Sequence, residues 1–396
     1  MCARKENSMK TAGIIAEFNP FHNGHRYLSE QVRTAGASHI LAVMSGSFVQ
    51  RGEPAQLSKW QRAEAALQNG IDLVLELPAP YALGSAERFA SGAVALLRAA
   101  GCLDVLAFGS ESGDIEALKK TAEACQKAEK GGLLQRFLKQ GLSYPAAREK
   151  AVSELAGETA AGLLSSPNNT LGIEYLKAME SLQAGFCAET IRRAGAAHDG
   201  APVGQFASAS WLRRQTAEGA DISAYLPPGG SGRYSPVHAA DPARLEAAVL
   251  WRLRSMTAED FAGLPDVTEG LENRLYTAAR DAVSTAAFLT AVKTRRYPLA
   301  RLRRILWYAM LDMRTEDCIR PPAYLRVLGF NSRGRELLKE IDRCSSLPLV
   351  TSFAALERQF PRFAYLEKTA TDLQGLACSP PAPCGRDYTE KIIVTE

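Results

Sequence analysis

Apolar runs alternating with helical periods over the first two hundred residues predict an α/β fold, a doubly wound parallel sheet, followed by a mainly helical domain. Three observations carry this expectation. The runs are apolar throughout, as strands buried on both faces require. The segments between them repeat apolar residues at helical spacing. Beyond "LPPGGSGRYSP" at 226–236, a Pro- and Gly-rich linker, the text turns helical. A chain of 396 residues, 46% apolar and 23% charged, is long enough for two domains.

In order, "TAGIIAEF" is the first strand, "SHILAVMSG" the second, "IDLVLELP" the third and "CLDVLAFGS" the fourth, with "FCAETIRRAG" a weaker fifth. Helices are expected near 24–35, 58–69, 84–100 and 113–130, with a further helical stretch at 145–182. Right-handed crossovers place such helices on both faces and leave ligands at the carboxyl ends of the strands. From Pro242 to about Lys339 the pattern is helical throughout. The last fifty residues hold a helix near 352–360, a Pro-rich stretch and "DYTEKIIVTE", either an edge strand or a disordered tail. The expected division is a disordered extension at 1–8, a catalytic domain at 9–230, a helical domain at 238–345 and a C-terminal segment at 346–396.

Several classes are excluded. No apolar run approaches the roughly 18 residues that span a bilayer, and "MCARKENSMK" lacks the apolar stretch of a secretory signal. Eight scattered cysteines without C-x-x-C read as reduced thiols of a cytoplasmic protein. The other histidines (39, 198 and 238) stand apart, so no zinc site is expected. Neither G-x-x-x-x-G-K-[ST] nor a G-x-G-x-x-G after the first strand occurs. The net charge of +4 is mild, so its distribution has to carry any argument.

The chemistry concentrates in "EFNPFHNGH", residues 17–25, between the first strand and the first helix. A helix N-terminus offers unpaired N–H groups and a positive dipole end to an anion. Gly24 lets the backbone approach a phosphate, and His22 and His25 can donate hydrogen bonds to phosphoryl oxygens. Positioning and electrostatics then suffice for attack at an α-phosphate. In "FASASWLRR", 206–214, Ser208 and Ser210 are short donors and Arg213 a fork suited to phosphate.

Three further stretches bear on the site, the first two at strand ends and the third at a helix start. "MSGSFVQRGEPAQLSKWQR", 44–62, is a polar site wall with Gln50, Arg51, Lys59 and Arg62. "FGSES", 108–112, offers Gly109 for close approach to a base or ribose. "SSPNNTLGIEYL", 165–176, has two adjacent Asn where a helix cap needs one.

H-x-G-H after a first strand resembles the signature of the nucleotidyltransferase superfamily, which shares its fold with class I aminoacyl-tRNA synthetases. "FASASWLRR" is similar to its second signature, S-x-[ST]-x-[IL]-R. The longer stretches "GIIAEFNPFHNGH", "MSGSFVQRGEPA", "SKWQR", "DLVLELP", "FGSE", "SPNNTLGIEYL", "FASAS" and "EKIIVT" together resemble the tRNA(Met) cytidine acetate ligase family, from about Met9 to the C-terminus. That resemblance implies a nucleotidyltransferase-type HxGH domain and a two-step reaction. Acetate attacks ATP to give acetyl-adenylate and pyrophosphate, and the wobble cytidine of elongator tRNA(Met) takes the acetyl group as N4-acetylcytidine.

Carried over by motif, catalysis falls to His22 and His25. The ATP site takes Ile15, Ala16, Glu17, Phe18, Asn19, Pro20, Phe21, His22, Asn23, Gly24, His25, Arg26, Tyr27 and Leu28, with Gly109, one of Asn168 and Asn169, and one of Arg192 and Arg193. Ser208, Ser210 and Arg213 join them as phosphate ligands. Mg2+ is expected with ATP, although no carboxylate pair declares itself a ligand. Glu17 and Glu111 are candidate general bases by position.

A tRNA partner should leave a basic trace. "KTRRYPLARLRR", 293–304, has six cations and no acid: Lys293, Arg295, Arg296, Arg301, Arg303 and Arg304. Tyr297, Trp307 and Tyr308 are placed to stack on an unpaired base. Two alternatives stay open, a small-molecule adenylyltransferase and a non-catalytic RNA-binding protein on the same scaffold.

Overall fold

The strands in chain order are β1 (Thr11–Ala16), β2 (His39–Ser45), a short hairpin of β3 (Phe48–Val49) and β4 (Glu53–Pro54), β5 (Leu73–Leu77), β6 (Val105–Ser110), β7 (Cys187–Arg192), β8 (Leu325–Phe330), β9 (Leu349–Val350) and β10 (Ile393–Val394). This computed structural model describes residues 10–195, 202–228, 239–268 and 270–396. The expected extension at 1–8 and most of the 226–236 linker lie outside the described residues.

The main sheet runs β10-β8-β5-β2-β1-β6-β7, with β9 also beside β8. Strands β5, β2, β1, β6 and β7 are mutually parallel, with Ala12 paired to Ile40 on one side and Val105 on the other. The strand order reverses between β1 and β6, where the first crossover runs one way and the later one the other; open α/β sheets bind ligands at such a point. Every residue of β2 and β5 is buried, as their unbroken apolar text predicts. The fifth strand, β7, lies at the edge and is half exposed, which accounts for its weaker signal.

Helices cover both faces. Asn23–Thr34 and Lys59–Leu67 pack on one, sealing Ile40, Ala42, Met44 and Val74 together with Phe18 and Phe21. On the other, Ala86–Ala100, Ile115–Lys130 and Pro167–Ser181 bury Leu41, Val43, Leu75, Leu106 and Phe108. A second core, with Leu253, Phe261, Leu275, Phe288 and Tyr308, lies among the helices after residue 240. It also takes in Leu366 and Ala370 of the helix Pro361–Leu376, and Phe48 of the hairpin.

Two expectations change here. Helix does not continue from Pro242 to Lys339: β8 interrupts it, and the sheet is mixed rather than wholly parallel, because β8 runs antiparallel to β5. The helix Ser332–Cys344 then packs back on β2 and β5. Gly334 permits this approach, since a Cβ there would fall 1.9 Å from the Asp72 carbonyl oxygen. The terminal "IIVT" is an edge strand, with Ile393 paired to Gly329 in parallel register.

Behind the sheet lies a buried charge cluster. Lys59 Nζ sits 2.7 Å from both Glu76 and Asp387, and Arg326 lies 2.8 Å from Glu76 and 2.7 Å from Asp387. Glu367 accepts from the Ala79 N–H at 2.6 Å, and burial beside Glu76 raises its carboxyl to about 8. Two cations thus face the two carboxylates of Glu76 and Asp387, with Glu367 beside them. Lys59 and Arg62, expected on the site wall, are instead fully buried.

Candidate active site

The floor of the site is the carboxyl end of β1. Arg62 holds it from below, donating to the backbone carbonyls of Ser45 (3.0 Å), Leu57 (3.1 Å), Glu17 (2.6 Å) and Gly46. Burial lowers this guanidinium to about 10 against the pull of Glu17 and Glu76, so it remains charged. The chain next passes Phe18 at φ +48°, a strained conformation for an aromatic residue, fixed by burial of the ring. It then turns into the helix Asn23–Thr34.

His22 is the N-cap of that helix. Its Nδ1 accepts from the Gly24 N–H at 3.0 Å, while Nδ1 of His25 accepts from the His22 N–H at 3.3 Å. Both Nδ1 atoms are therefore acceptors, which fixes both rings as Nε2–H tautomers. The rings lie 3.9 Å apart, tilted by 30°. Burial holds His22 well below the usual imidazole range, with His25, Arg193 and Arg213 adding to the effect. Burial, then Arg193, lowers His25 to about 3. The pair is two neutral donors, not two cations. At Gly24 a Cβ would stand 2.8 Å from His22 Cε1, so the capping arrangement itself requires glycine.

Ser208 caps the helix Ala209–Ala217, accepting from the Trp211 N–H at 3.2 Å, and its hydroxyl lies 3.2 Å from that of Ser210. Arg213 donates to the Asn19 carbonyl at 2.9 Å and pairs with Glu53 at 3.1 Å. Asn23 spans the two signatures, its Nδ2 donating to the carbonyls of Gln205 (3.0 Å) and Ala224 (3.2 Å).

Across the sheet, Gly109 is the penultimate residue of β6, and a Cβ there would meet Arg193 Cγ at 3.3 Å. Glu111 accepts from the N–H of Asn168 (3.2 Å) and of Asn169 (2.8 Å), and from Asn168 Nδ2 (2.7 Å). As a general base it is thus encumbered by three donors. Glu17 is half-buried, accepts from the Gln50 N–H at 2.9 Å, and has its carboxyl raised by desolvation against the pull of Arg213.

A cavity of about 450 Å³ joins these parts. Four helix N-termini reach it, at Gly24, Ala86, Asn168 and Ser210, each turning the positive end of its dipole towards the cavity. Ile15, Ala16, Glu17, Phe18, Asn19, His22, Gly24, His25, Tyr27 and Leu28 line it, as do Gly109, Asn168, Arg192, Arg193, Ser208, Ser210 and Arg213. Five expected residues do not. Pro20 and Phe21 turn into the core, Asn23 is the clamp just described, and Arg26 pairs with Glu30 in solvent at 2.7 Å. Asn169 is buried behind Asn168, accepting from the Ser112 N–H at 3.1 Å. Of the loop 44–62, Gln50 and Arg51 reach the cavity. The sequence reading missed Ala86, Phe89, Leu171 and Tyr175, whose apolar text gave no sign of a cavity.

The basic run divides. Arg301 donates to the Asp266 carbonyl (2.8 Å from Nε) and Arg304 is buried 3.5 Å from the Asp266 carboxylate. Lys293, Arg295, Arg296 and Arg303 are exposed. Tyr297, Trp307 and Tyr308 are buried, so none stacks on a base; Trp307 Nε1 donates to the Gly52 carbonyl at 2.9 Å.

Residues 9–387 match the HIGH Nucleotidyl Transferase family. The tRNA(Met) cytidine acetate ligase of Acetivibrio thermocellus is 37% identical over 98% of this chain and all of its own length. That of Syntrophotalea carbinolica is 41% identical over 89% of this chain and 87% of its own. Thermotoga maritima TmcAL bound with alpha-thio ATP superposes with a TM-score of 0.88 at 32% identity, covering 98% of this chain and 99% of the other. The apo form of the same protein gives 0.90. With likeness running end to end in sequence and fold, this chain belongs to the HIGH nucleotidyltransferase family, among the tRNA(Met) cytidine acetate ligases.

Proposed function

We propose that this chain activates acetate with ATP and transfers the acetyl group to the wobble cytidine of elongator tRNA(Met), forming N4-acetylcytidine in the cytoplasm. The observation that carries this reading is the pair of neutral Nε2–H donors, His22 and His25, in a cavity reached by four helix N-termini. Thermotoga maritima TmcAL, similar over 98% of this chain, is bound with alpha-thio ATP in its structure. In this reading ATP takes the cavity described above, which Asn168 lines and Asn169 does not, with both Arg192 and Arg193 on the wall.

In the first step an acetate oxygen attacks the α-phosphorus and the bond to pyrophosphate breaks. Charge growing on the α-phosphoryl oxygens meets the two imidazole N–H groups and Arg193. Neutral imidazoles suit this role because neither has to lose or gain a proton as the step proceeds. In the second, the exocyclic amine of cytidine attacks the acetyl carbonyl, AMP leaves, and the amine proton is released.

Among the described residues no group of three or more His, Cys, Asp or Glu could hold a metal ion. Magnesium is expected as the companion of the ATP phosphates. No described helix is long and apolar enough to cross a membrane.

Exchange of labelled pyrophosphate into ATP tests the first step. It is expected to depend on acetate and to proceed without tRNA; exchange indifferent to acetate would overturn the reading. For the second step, tRNA from a deletion strain should lack N4-acetylcytidine and regain it when the gene is restored.

A further inference from the structure

The cavity crosses the carboxyl edge of the sheet, and its two ends differ. His22, His25 and Phe18 belong to the side covered by the helix Asn23–Thr34. On the opposite side the lining is apolar, with Ala86, Phe89, Phe108, Leu171 and Tyr175. Gly172 builds this second end. Phe108 occupies the notch it leaves, where a Cβ would fall 2.4 Å from the ring. Tyr175, one turn further along the same helix, meets that ring edge-on, with centroids 5.7 Å apart.

Tyr175 is 2% exposed and lines the cavity, yet its phenol makes no hydrogen bond to any described residue. The hydroxyl is not among the buried polar atoms left without a partner, so it is the part of this side chain that reaches the open space of the cavity. A donor so placed is available to whatever occupies the cavity, water or a ligand. Burial, and to a smaller degree Glu17, hold this phenol well above its ordinary range, so it is a proton-bearing donor at any physiological pH.

We infer that Tyr175 is a specificity-determining residue for the acid substrate, its hydroxyl donating to the carboxylate while Phe89 and Phe108 confine the short alkyl group. The inference rests on the proposed acetate activation and names its second subsite. It follows from scale as well. A two-carbon acid offers one charge and one methyl, so a single oriented donor and a tight apolar wall are nearly all the recognition available.

The test compares wild type, Tyr175→Phe and Phe89→Leu in acid-dependent pyrophosphate exchange, with acetate, propionate and butyrate. Tyr175→Phe is expected to raise KM for acetate about tenfold or more, as loss of a hydrogen bond to a charged group does, with KM for ATP unchanged. Its thermal midpoint should match wild type, because the hydroxyl has no described partner to lose. Phe89→Leu is expected to shift kcat/KM towards propionate severalfold. An unchanged KM for acetate in Tyr175→Phe, or a rise in KM for ATP alone, would overturn the inference while leaving acetate activation standing. Wild type inactive with every acid would instead remove the reading beneath it.

Discussion

Replacing His25 by Ala deletes one neutral donor and one half of the reciprocal cap. Loss of a single donor to a developing oxyanion lowers turnover about 10²–10³-fold, and pyrophosphate exchange by H25A should fall by that amount. The pH profile gives a sharper check. His25 titrates at about 3 in the folded protein against 6.5 for a free imidazole, so neither rate-supporting ring gains a proton between pH 5 and 8. An acidic limb near 6.5 that disappears in H25A would contradict the neutral pair. Stability follows the opposite reference: below pH 6.5 the unfolded chain takes up the proton first, so folding weakens as pH falls from 6.5 towards 3. Acid melts of H25A should show a shallower decline. At this scale the sequence is legible where chemistry demands a residue type, as at His22, Gly24 and His25. It is illegible where a contiguous motif mixes directions: Asn23 and Arg26 share the motif but leave the helix on sides that miss the cavity.

Strand β8 shows why elements differ in legibility. "LRVLGF" is a short apolar run set among helices, and periodicity alone cannot separate such a run from buried helix. What stabilises it is tertiary: Arg326 completes the charge cluster with Lys59, Glu76 and Asp387, three residues from distant parts of the chain. The terminal strand β10 owes its place to the same cluster. Burial alone would raise the Asp387 carboxyl, yet Lys59 and Arg326 pull it down to about 2, so the ion pair holds the C-terminal segment against the sheet. Asp387→Ala leaves two buried cations sharing one fewer carboxylate. Removing one partner of a buried pair costs about 3–5 kcal/mol, and the urea midpoint of D387A should drop accordingly. A midpoint within error of wild type would mean that water reaches the cluster and solvates the cations.

Across the whole molecule, the hairpin β3–β4 joins the helical body to the cavity. Gln50 and Arg51 at its tip line the cavity, while Gly52, at φ +79°, lies against the Arg303–Arg304 backbone, where a Cβ would approach Arg304 N to 2.9 Å. The proposed tRNA contact, with the anticodon loop entering the site, would draw on Arg303 at this junction and on the exposed Lys293, Arg295 and Arg296. Composition alone could not sort them. Positions 301, 304 and 308 share one helix face and converge on Asp266, whereas Arg303 points outwards. The combined variant Lys293→Ala, Arg295→Ala, Arg296→Ala and Arg303→Ala is expected to leave acetate-dependent pyrophosphate exchange intact, since none of the four lines the cavity. Its KM for tRNA should rise at least tenfold. Each phosphate left without its cation also lowers the slope of log affinity against log salt by about 0.7–0.9, so titration of tRNA at several salt concentrations should give a slope reduced by up to about 3.6. Replacing Arg301 and Arg304 instead should chiefly lower the thermal midpoint, because those two hold Asp266. If the fourfold variant binds tRNA with an unaltered salt slope, the polyanion lies on another face, and the hairpin serves the nucleotide alone.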